Sequence, residues 1–374
     1  MSKVSKLDVY FGNRLIGTMA LYKDTLAAFE YSKDWLKDGF SISPFSLPLE
    51  KGVFIPKLDP FGGLYGVFAD SLPDGWGRLL VDRLMRRNGL NPERMGNLDR
   101  LAIVGESGMG ALAYKPQTVL SRGEEKKGLD IIAEECKEIL QTESTKGLDY
   151  LFENGGSSGG ARPKILTEVD GEDWIIKFPS SDDSKDIGKI EYDYAICAKE
   201  CGIEMEEVRL FESKKCMGYF GTKRFDRKKK GDNYRVHMVS AAGLLETSHR
   251  VPNLDYNTLM RLTLQLTKSM EDCEKLFRIM CFNVYAHNRD DHSKNFSYLY
   301  DDKEDQWHLS PAYDLTYSNS IAGEHATMVN GNGSNPSEDD VLAVAEKIGL
   351  NLVKAKRESN KIYECVQEML GRYL

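Results

Sequence analysis

Asn288-Arg289-Asp290-Asp291-His292-Ser293-Lys294-Asn295 is the stretch on which the reading of this chain turns. It follows a long helix predicted over 270–288 from its apolar periodicity, so it is expected to form a loop. Its spacing is chemically informative. A carboxylate at 290, a lysine four positions on and an amide five positions on are the groups that phosphoryl transfer uses. The carboxylate orients a hydroxyl and takes its proton, the lysine neutralises phosphate charge, and the amide oxygen holds Mg²⁺. Taken alone, the octapeptide reads rather as a polar loop rich in turn-formers. His287 and His292 do not argue for zinc, because a catalytic zinc needs three protein ligands at characteristic spacing.

Working outward, Asp314 in Leu309-Ser310-Pro311-Ala312-Tyr313-Asp314-Leu315 follows Asn295 by nineteen residues. The intervening 296–309 reads as a hairpin with a charged turn at Asp301 to Asp305. An acidic residue placed there, between apolar neighbours, suits a metal ligand, although on its own it would be a cap or turn residue. Upstream, Lys177 stands on the apolar strand Trp174-Ile175-Ile176-Lys177-Phe178. A lysine there is costly unless its ammonium meets an anion, and ATP phosphates or an ion pair with Glu191 would satisfy it. The plainer reading is an edge-strand lysine facing water. The loop Gly155-Gly156-Ser157-Ser158-Gly159-Gly160-Ala161-Arg162-Pro163-Lys164 precedes that strand. Its small residues let backbone N–H groups approach phosphate oxygens, yet it is neither a Walker loop nor a dinucleotide fingerprint, and alone it reads as a linker. Gly105-Glu106-Ser107-Gly108-Met109-Gly110 is read as a structural turn, since no lysine-bearing strand follows it.

The remaining pattern gives an order of parts. Strands are expected over 7–11, 15–21 and 25–31, a helix from about Ser71-Leu72-Pro73-Asp74 onward, and a strand within 101–114. A boundary is expected near 116–128, where Pro, Ser, Gly and a charge run cluster. A helix follows over 129–142, then strands at 164–166, 174–178, 207–212 and 218–224 with a helix at 189–200 between them. Helices dominate after 255, ending with 338–348 and 352–373. The fold class is therefore α+β, in three parts: a β-rich N-terminal domain at 1–118, a β-rich lobe at 119–250 and a helical lobe at 251–374.

Composition narrows the function classes. With 41% hydrophobic and 29% charged residues in 374, the chain reads as an ordinary globular protein. A net charge of −8 makes the whole molecule a poor electrostatic footprint for DNA. Seven cysteines, an odd number with no Cys-x-x-Cys, argue against a disulfide framework or a zinc ribbon. Cys197 and Cys201 lie one helical turn apart and are read as small helix residues, since two thiols make an incomplete site. No apolar leader or membrane-length run is present, so a reducing, cytoplasmic setting without membrane contact is expected.

These pieces, in this order, resemble the HipA-type kinases, the toxin halves of bacterial toxin–antitoxin pairs. Asp290-Asp291-His292-Ser293-Lys294-Asn295 fits the family's Asp-x-His-x-Lys-Asn catalytic loop. Tyr313-Asp314 resembles its metal segment, and Ser157 to Lys164 its phosphate loop. Arg224-Phe225-Asp226-Arg227 fits its string near the adenine site, and Ser71-Leu72-Pro73-Asp74-Gly75-Trp76 its N-terminal signature. The resemblance implies a two-lobed protein-kinase-like fold that uses ATP and Mg²⁺. Asp290 would be the catalytic base, with His292 and Lys294 supporting the loop and the transition-state charge, and His292 also lining the nucleotide. Lys177 would hold the α/β-phosphates. Ser158, Gly159, Gly160, Ala161, Arg162 and Lys164 would cradle phosphate, Lys223 and Phe225 would contact adenine, and Asn295 and Asp314 would bind the metal.

It further implies autophosphorylation of the loop serine matching Ser157, with Ser158 beside it as a competitor, and loss of activity once the modified loop is expelled. The implied partners are a protein substrate such as an aminoacyl-tRNA synthetase and a helix-turn-helix antitoxin, through which alone DNA would be reached. His237-Met238-Val239-Ser240 departs from the family's His-Gln-Glu-Asp string, so a polar nucleotide contact is lost at Met238. Lys223 stands where an acid is more familiar. A small-molecule kinase and a non-catalytic kinase-like corepressor scaffold are the competing readings. The N-terminal domain and the serine loop speak against the first, and the presence of Lys177, Asp290, Asn295 and Asp314 against the second.

Overall fold

The structure is a computed structural model and describes residues 3–121, 127–157, 159–228, 234–320 and 323–374. The chain gathers into two compact units. The first comprises 1–189, 209–239 and 243–246, and the second 190–208, 240–242 and 247–374. The expected segments 1–118 and most of 119–250 thus share one unit. No helix among the described residues is long and apolar enough to cross a membrane.

The first unit opens with a five-stranded antiparallel sheet in the order Val53–Phe54, Leu26–Tyr31, Arg14–Tyr22, Lys6–Phe11, Leu112–Lys115. Gly12, at φ +56°, supplies the left-handed residue that the tight turn between Lys6–Phe11 and Arg14–Tyr22 demands. The strand expected within 101–114 is confined to Leu112–Lys115, and a helix, Asn97–Val104, precedes it. The helix wins because Leu98, Leu101, Ala102 and Ile103 bury one helical face. Asp99 also closes its first turn by accepting from Gly96 N at 2.9 Å.

A second sheet runs Lys164–Val169, Glu172–Lys177, Tyr219–Lys223, Val208–Phe211. Ile165, Trp174, Ile176 and Tyr219 pack in one core with Trp76, Leu80 and Leu84 of helix Gly75–Arg87. Ile132 and Ile139 of helix Leu129–Gln141 join it, with Leu148 and Leu151 of helix Leu148–Gly155. The last helix ends at the glycine-rich loop and was not legible as a helix.

His237 fastens the first unit internally. Its Nε2 donates to Ile42 O at 2.8 Å, and its ring lies 5.4 Å from Phe40. Burial pushes the ring down from 6.5 to about 4. The folded chain therefore refuses a proton that the unfolded chain accepts, and stability falls as pH drops from about 6.5 toward 4. Urea unfolding at pH 7 and near pH 5 is expected to differ by about 2 kcal/mol from this ring. His237→Gln keeps a donor and should flatten the dependence, and an unchanged slope in that variant would assign the acid sensitivity elsewhere.

The second unit is helical: Tyr256–Thr267, Met270–Tyr285, Glu338–Ile348 and Leu352–Leu370. Asp255, Ser269, Ser337 and Asn351 cap them with side-chain oxygens on backbone N–H groups. The hairpin expected between the two carboxylates forms as Ser297–Asp301 and Gln306–Leu309, antiparallel with Tyr298 opposite Leu309.

Candidate active site

The loop after helix Met270–Tyr285 is held by its own backbone and by one buried carboxylate. His287 turns the chain at φ +52°. Asn288 then donates N–H to Asn283 O and its Nδ2 to Asn283 Oδ1, both at 2.9 Å. Asp291 is 1% exposed. It accepts from Tyr256 OH at 2.8 Å and Thr327 N at 3.1 Å, and lies 3.0 Å from His325 Nδ1. With Asp291 turned inward, its neighbour Asp290 faces out, its side chain 64% exposed.

Three contacts organise the groups around Asp290. Asn295 Nδ2 donates to Asp290 O at 2.7 Å, and Asn295 N to His292 O at 2.8 Å. His292 Nδ1 accepts from Lys294 N at 3.2 Å, which places the proton of a neutral ring on Nε2. That atom lies 3.9 Å from Asp290 Oδ1. Tyr313 OH reaches Lys294 O and Ser297 Oγ, each at 2.6 Å, so the segment carrying Asp314 is pinned to the 290–297 stretch. Asp314 sits at φ +55°, a left-handed conformation that a non-glycine residue holds only under constraint from its surroundings. The donor chemistry fits Mg²⁺. The Asn295 amide nitrogen donates to Asp290 O, so Oδ1 is the atom that side chain would offer a cation, and Asp314 would add a carboxylate.

In the first unit, Lys177 ends strand Glu172–Lys177, with Nζ 5.5 Å from the Phe220 ring. Its direct partner across the ladder is Lys164. Glu191, the expected ion-pair partner of Lys177, is 3% exposed and belongs to the second unit.

The glycine-rich loop is held by protein groups. Gly160 N donates to Asp74 Oδ1, and Trp76 N donates to Gly160 O at 2.9 Å. Asp74 occupies the N-cap position of helix Gly75–Arg87, but its carboxylate leaves that helix for the loop. A Cβ on Gly75 would come within 2.3 Å of Gly160 O, so only glycine permits this approach. Lys164 Nζ donates to Gly159 O at 2.6 Å, and Arg162 grips Asp183 through Nε and Nη2 at 3.0 and 3.1 Å. Ser157 is 8% exposed and donates to Ser107 O at 2.7 Å. Ser158 lies outside the described residues.

The turn at 105–110 is held by arginines that bind its carbonyls. Arg227 reaches Gly110 O and Gly108 O at 3.1 Å each, and Arg235 reaches the same two at 2.9 Å each. Asp226 completes the lock, accepting from Gly110 N at 2.6 Å and from Arg224 and Arg227. Burial alone would raise its carboxyl, but the two arginines outweigh burial and hold it well below the usual carboxylate range. Lys223 Nζ lies 4.0 Å from Glu172 Oε1 and 5.9 Å from the Trp174 ring, while Phe225 and Met238 are half-buried.

A model of the HipA N-terminal domain matches residues 7–115, and a model of the HipA-like C-terminal domain matches 156–372. The chain belongs to the HipA family. Y4dM of Sinorhizobium fredii, named as a candidate kinase, is 26% identical over 98% of this chain and 92% of its own. Among solved structures, HipA of Shewanella oneidensis MR-1, in a toxin–antitoxin complex with HipB and operator DNA, matches at a TM-score of 0.72. It is 18% identical over 98% of this chain and 90% of that one, which shows a shared HipA fold. The proinflammatory kinase CtkA of Helicobacter pylori, at a TM-score of 0.38 and 13% identity over 56% of this chain and 90% of its own, is too slight a likeness to argue from.

Every residue assigned to the catalytic, nucleotide or metal set lies within the span of the HipA C-terminal match. Asp74 lies within the N-terminal match and still reaches Gly160, so the two HipA domains meet at the glycine-rich loop. Asp74, Asp226 and Asp291 are polar anchors to which the sequence reading gave no role of their own. Asp74 was visible there as a helix-start residue and as part of the N-terminal signature.

Proposed function

We propose that this HipA-family chain is a cytoplasmic, ATP- and Mg²⁺-dependent serine/threonine protein kinase, the toxin of a toxin–antitoxin pair. The observation that carries the reading is the exposed Asp290 carboxylate, with His292 beside it and Asn295 bonded to its backbone. Asp290 orients a substrate hydroxyl and takes its proton as the γ-phosphoryl passes to that oxygen and ADP departs. Mg²⁺, when bound, neutralises phosphate charge, and Asn295 and Asp314 are the residues that hold it. Lys177, with Lys164 opposite, supplies positive charge to the α/β-phosphates, and Lys294 to the phosphoryl group in transit. Gly159, Gly160, Ala161 and Arg162 line the phosphates, and Lys223 and Phe225 the adenine.

The family resemblance supports a translation component, such as an aminoacyl-tRNA synthetase, as the protein substrate. It also supports a helix-turn-helix antitoxin as the partner through which DNA is reached, and a net charge of −8 agrees with indirect contact. The same resemblance supports inactivation by autophosphorylation at Ser157. That serine is bonded inward to Ser107 O, so the loop must open before transfer. A phosphate adds a charge of about −1.5 to −2 and would keep the loop from closing again. After incubation with Mg·ATP, peptide mass spectrometry is expected to find one phosphate within 155–164, on Ser157 in preference to Ser158. Ser157→Ala should still bind nucleotide but escape self-inactivation. Phosphate found only elsewhere, or a Ser157→Ala protein that still inactivates itself, would contradict this regulation.

One observation favours the scaffold reading. Gly160 N–H, Arg162 and Lys164 already have protein partners in Asp74, Asp183 and Gly159 O. A melting temperature that Mg·ATP leaves unmoved would support it, because a ligand that binds the folded state must stabilise it.

A further inference from the structure

The second unit brings together three thiols that lie far apart in sequence. Cys197 and Cys201 stand at the end of helix Ile187–Glu200, and Cys365 stands on helix Leu352–Leu370. Their sulfur atoms all lie within 4.8 Å of one another. Among the described residues this is the one cluster of three side chains able to ligate a metal, and it contains sulfur alone. Met369 adds a fourth sulfur, its Sδ 3.7 Å from Cys365 Sγ.

The cluster does not depend on its own sulfur contacts for its shape. Arg372 Nη2 and Tyr373 OH both donate to Asp193 Oδ2 at 2.7 Å, which clamps the end of one helix to the other. Ile362 and Val366 of the same helix are both fully buried. The sulfurs are therefore held near one another before any ligand arrives. Cys197 and Cys201 are 0% and 1% exposed, while Cys365 is half-buried and offers a way in.

We propose that Cys197, Cys201 and Cys365 form a three-thiolate site for one soft monovalent d¹⁰ cation, Cu(I), with the Met369 thioether at its rim. Sulfurs bound to one ion at about 2.3 Å in a trigonal plane stand about 4 Å apart, which the observed cluster accommodates. A structural zinc site asks for four thiolate, imidazole or carboxylate ligands, and only three such groups meet here. A thioether neighbour instead suits Cu(I), which soft sulfur ligands select. On binding, the thiols give up their protons to solvent.

The test uses the full-length, fully reduced protein under anaerobic conditions. Cu(I) is offered from its bicinchoninate complex, Zn(II) in a parallel arm, and alkylation by iodoacetamide is mapped by peptide mass spectrometry. The expected result is one Cu(I) withdrawn per chain, with Cys365 shielded from alkylation. Cys365→Ser should bind at least about 100-fold more weakly. Cys216→Ser, in the other unit, should bind as wild type. If Cys365→Ser fails to fold, as read by its circular dichroism melt, shielding of Cys365 in the wild type decides. No withdrawal of Cu(I), a Cys365→Ser protein that binds as wild type, preference for Zn(II), or a Cys197–Cys365 disulfide in place of metal uptake would overturn the proposal.

Discussion

Asp290→Asn is expected to leave the fold intact and to cut transfer from γ-labelled ATP by about 10²–10⁴, the scale of general-base effects. The substitution keeps the size and shape of the side chain and removes its basicity. The side chain is 64% exposed, and the bond that orders the loop, Asn295 Nδ2 to Asp290 O, uses the backbone. Stability should therefore move by no more than about 0.5 kcal/mol. Activity within tenfold of wild type would remove Asp290 from the base role. A large loss of stability would show that the carboxylate holds structure instead.

The adjacent residue should behave in the opposite way. Asp291→Ala is expected to cost about 3–5 kcal/mol, because it strips the acceptor from groups that have no water to turn to. Tyr256 OH, Thr327 N and His325 Nδ1 all converge on the Asp291 carboxylate. Tyr256 also accepts from Asn283 Nδ2, and Asn283 in turn accepts from Asn288, so the loss would spread along a buried chain to the loop that carries Asp290. Against a total stability of about 5–15 kcal/mol, this approaches unfolding. Urea denaturation of the purified variant measures it, and a loss under about 1 kcal/mol would mean that the network tolerates the gap.

The contrast between Asp290 and Asp291 marks how far the sequence could be read. The family resemblance gave Asp290, Lys294, Asn295 and Asp314 their candidate roles, since their spacing alone also fits polar turns, but the polar octapeptide after an apolar-periodic helix located the loop itself. The hairpin between the carboxylates and helix Glu338–Ile348 were legible for the same reason, since local periodicity and turn chemistry decide them. Which of two neighbouring aspartates is buried is decided by Tyr256, His325 and Thr327, about 35 positions away, and no local pattern carries that. Asp74 read as a helix start, yet it bonds Gly160 across 86 positions. The helix Asn97–Val104 was hidden because its apolar positions run into the glycines that follow, and the combined window read as strand. Cys197 and Cys201 read as small helix residues because the third thiol, Cys365, lies on a distant helix that only the tertiary fold brings close.

The most direct test of kinase function is to incubate the wild-type chain with γ-labelled ATP, with and without Mg²⁺, and to follow ADP release and covalent label together. The expected result is Mg²⁺-dependent ADP formation, matched by label on serine or threonine in the chain or in an added protein substrate. Mg²⁺-replete protein that binds no ATP, releases no ADP and carries no label would contradict it.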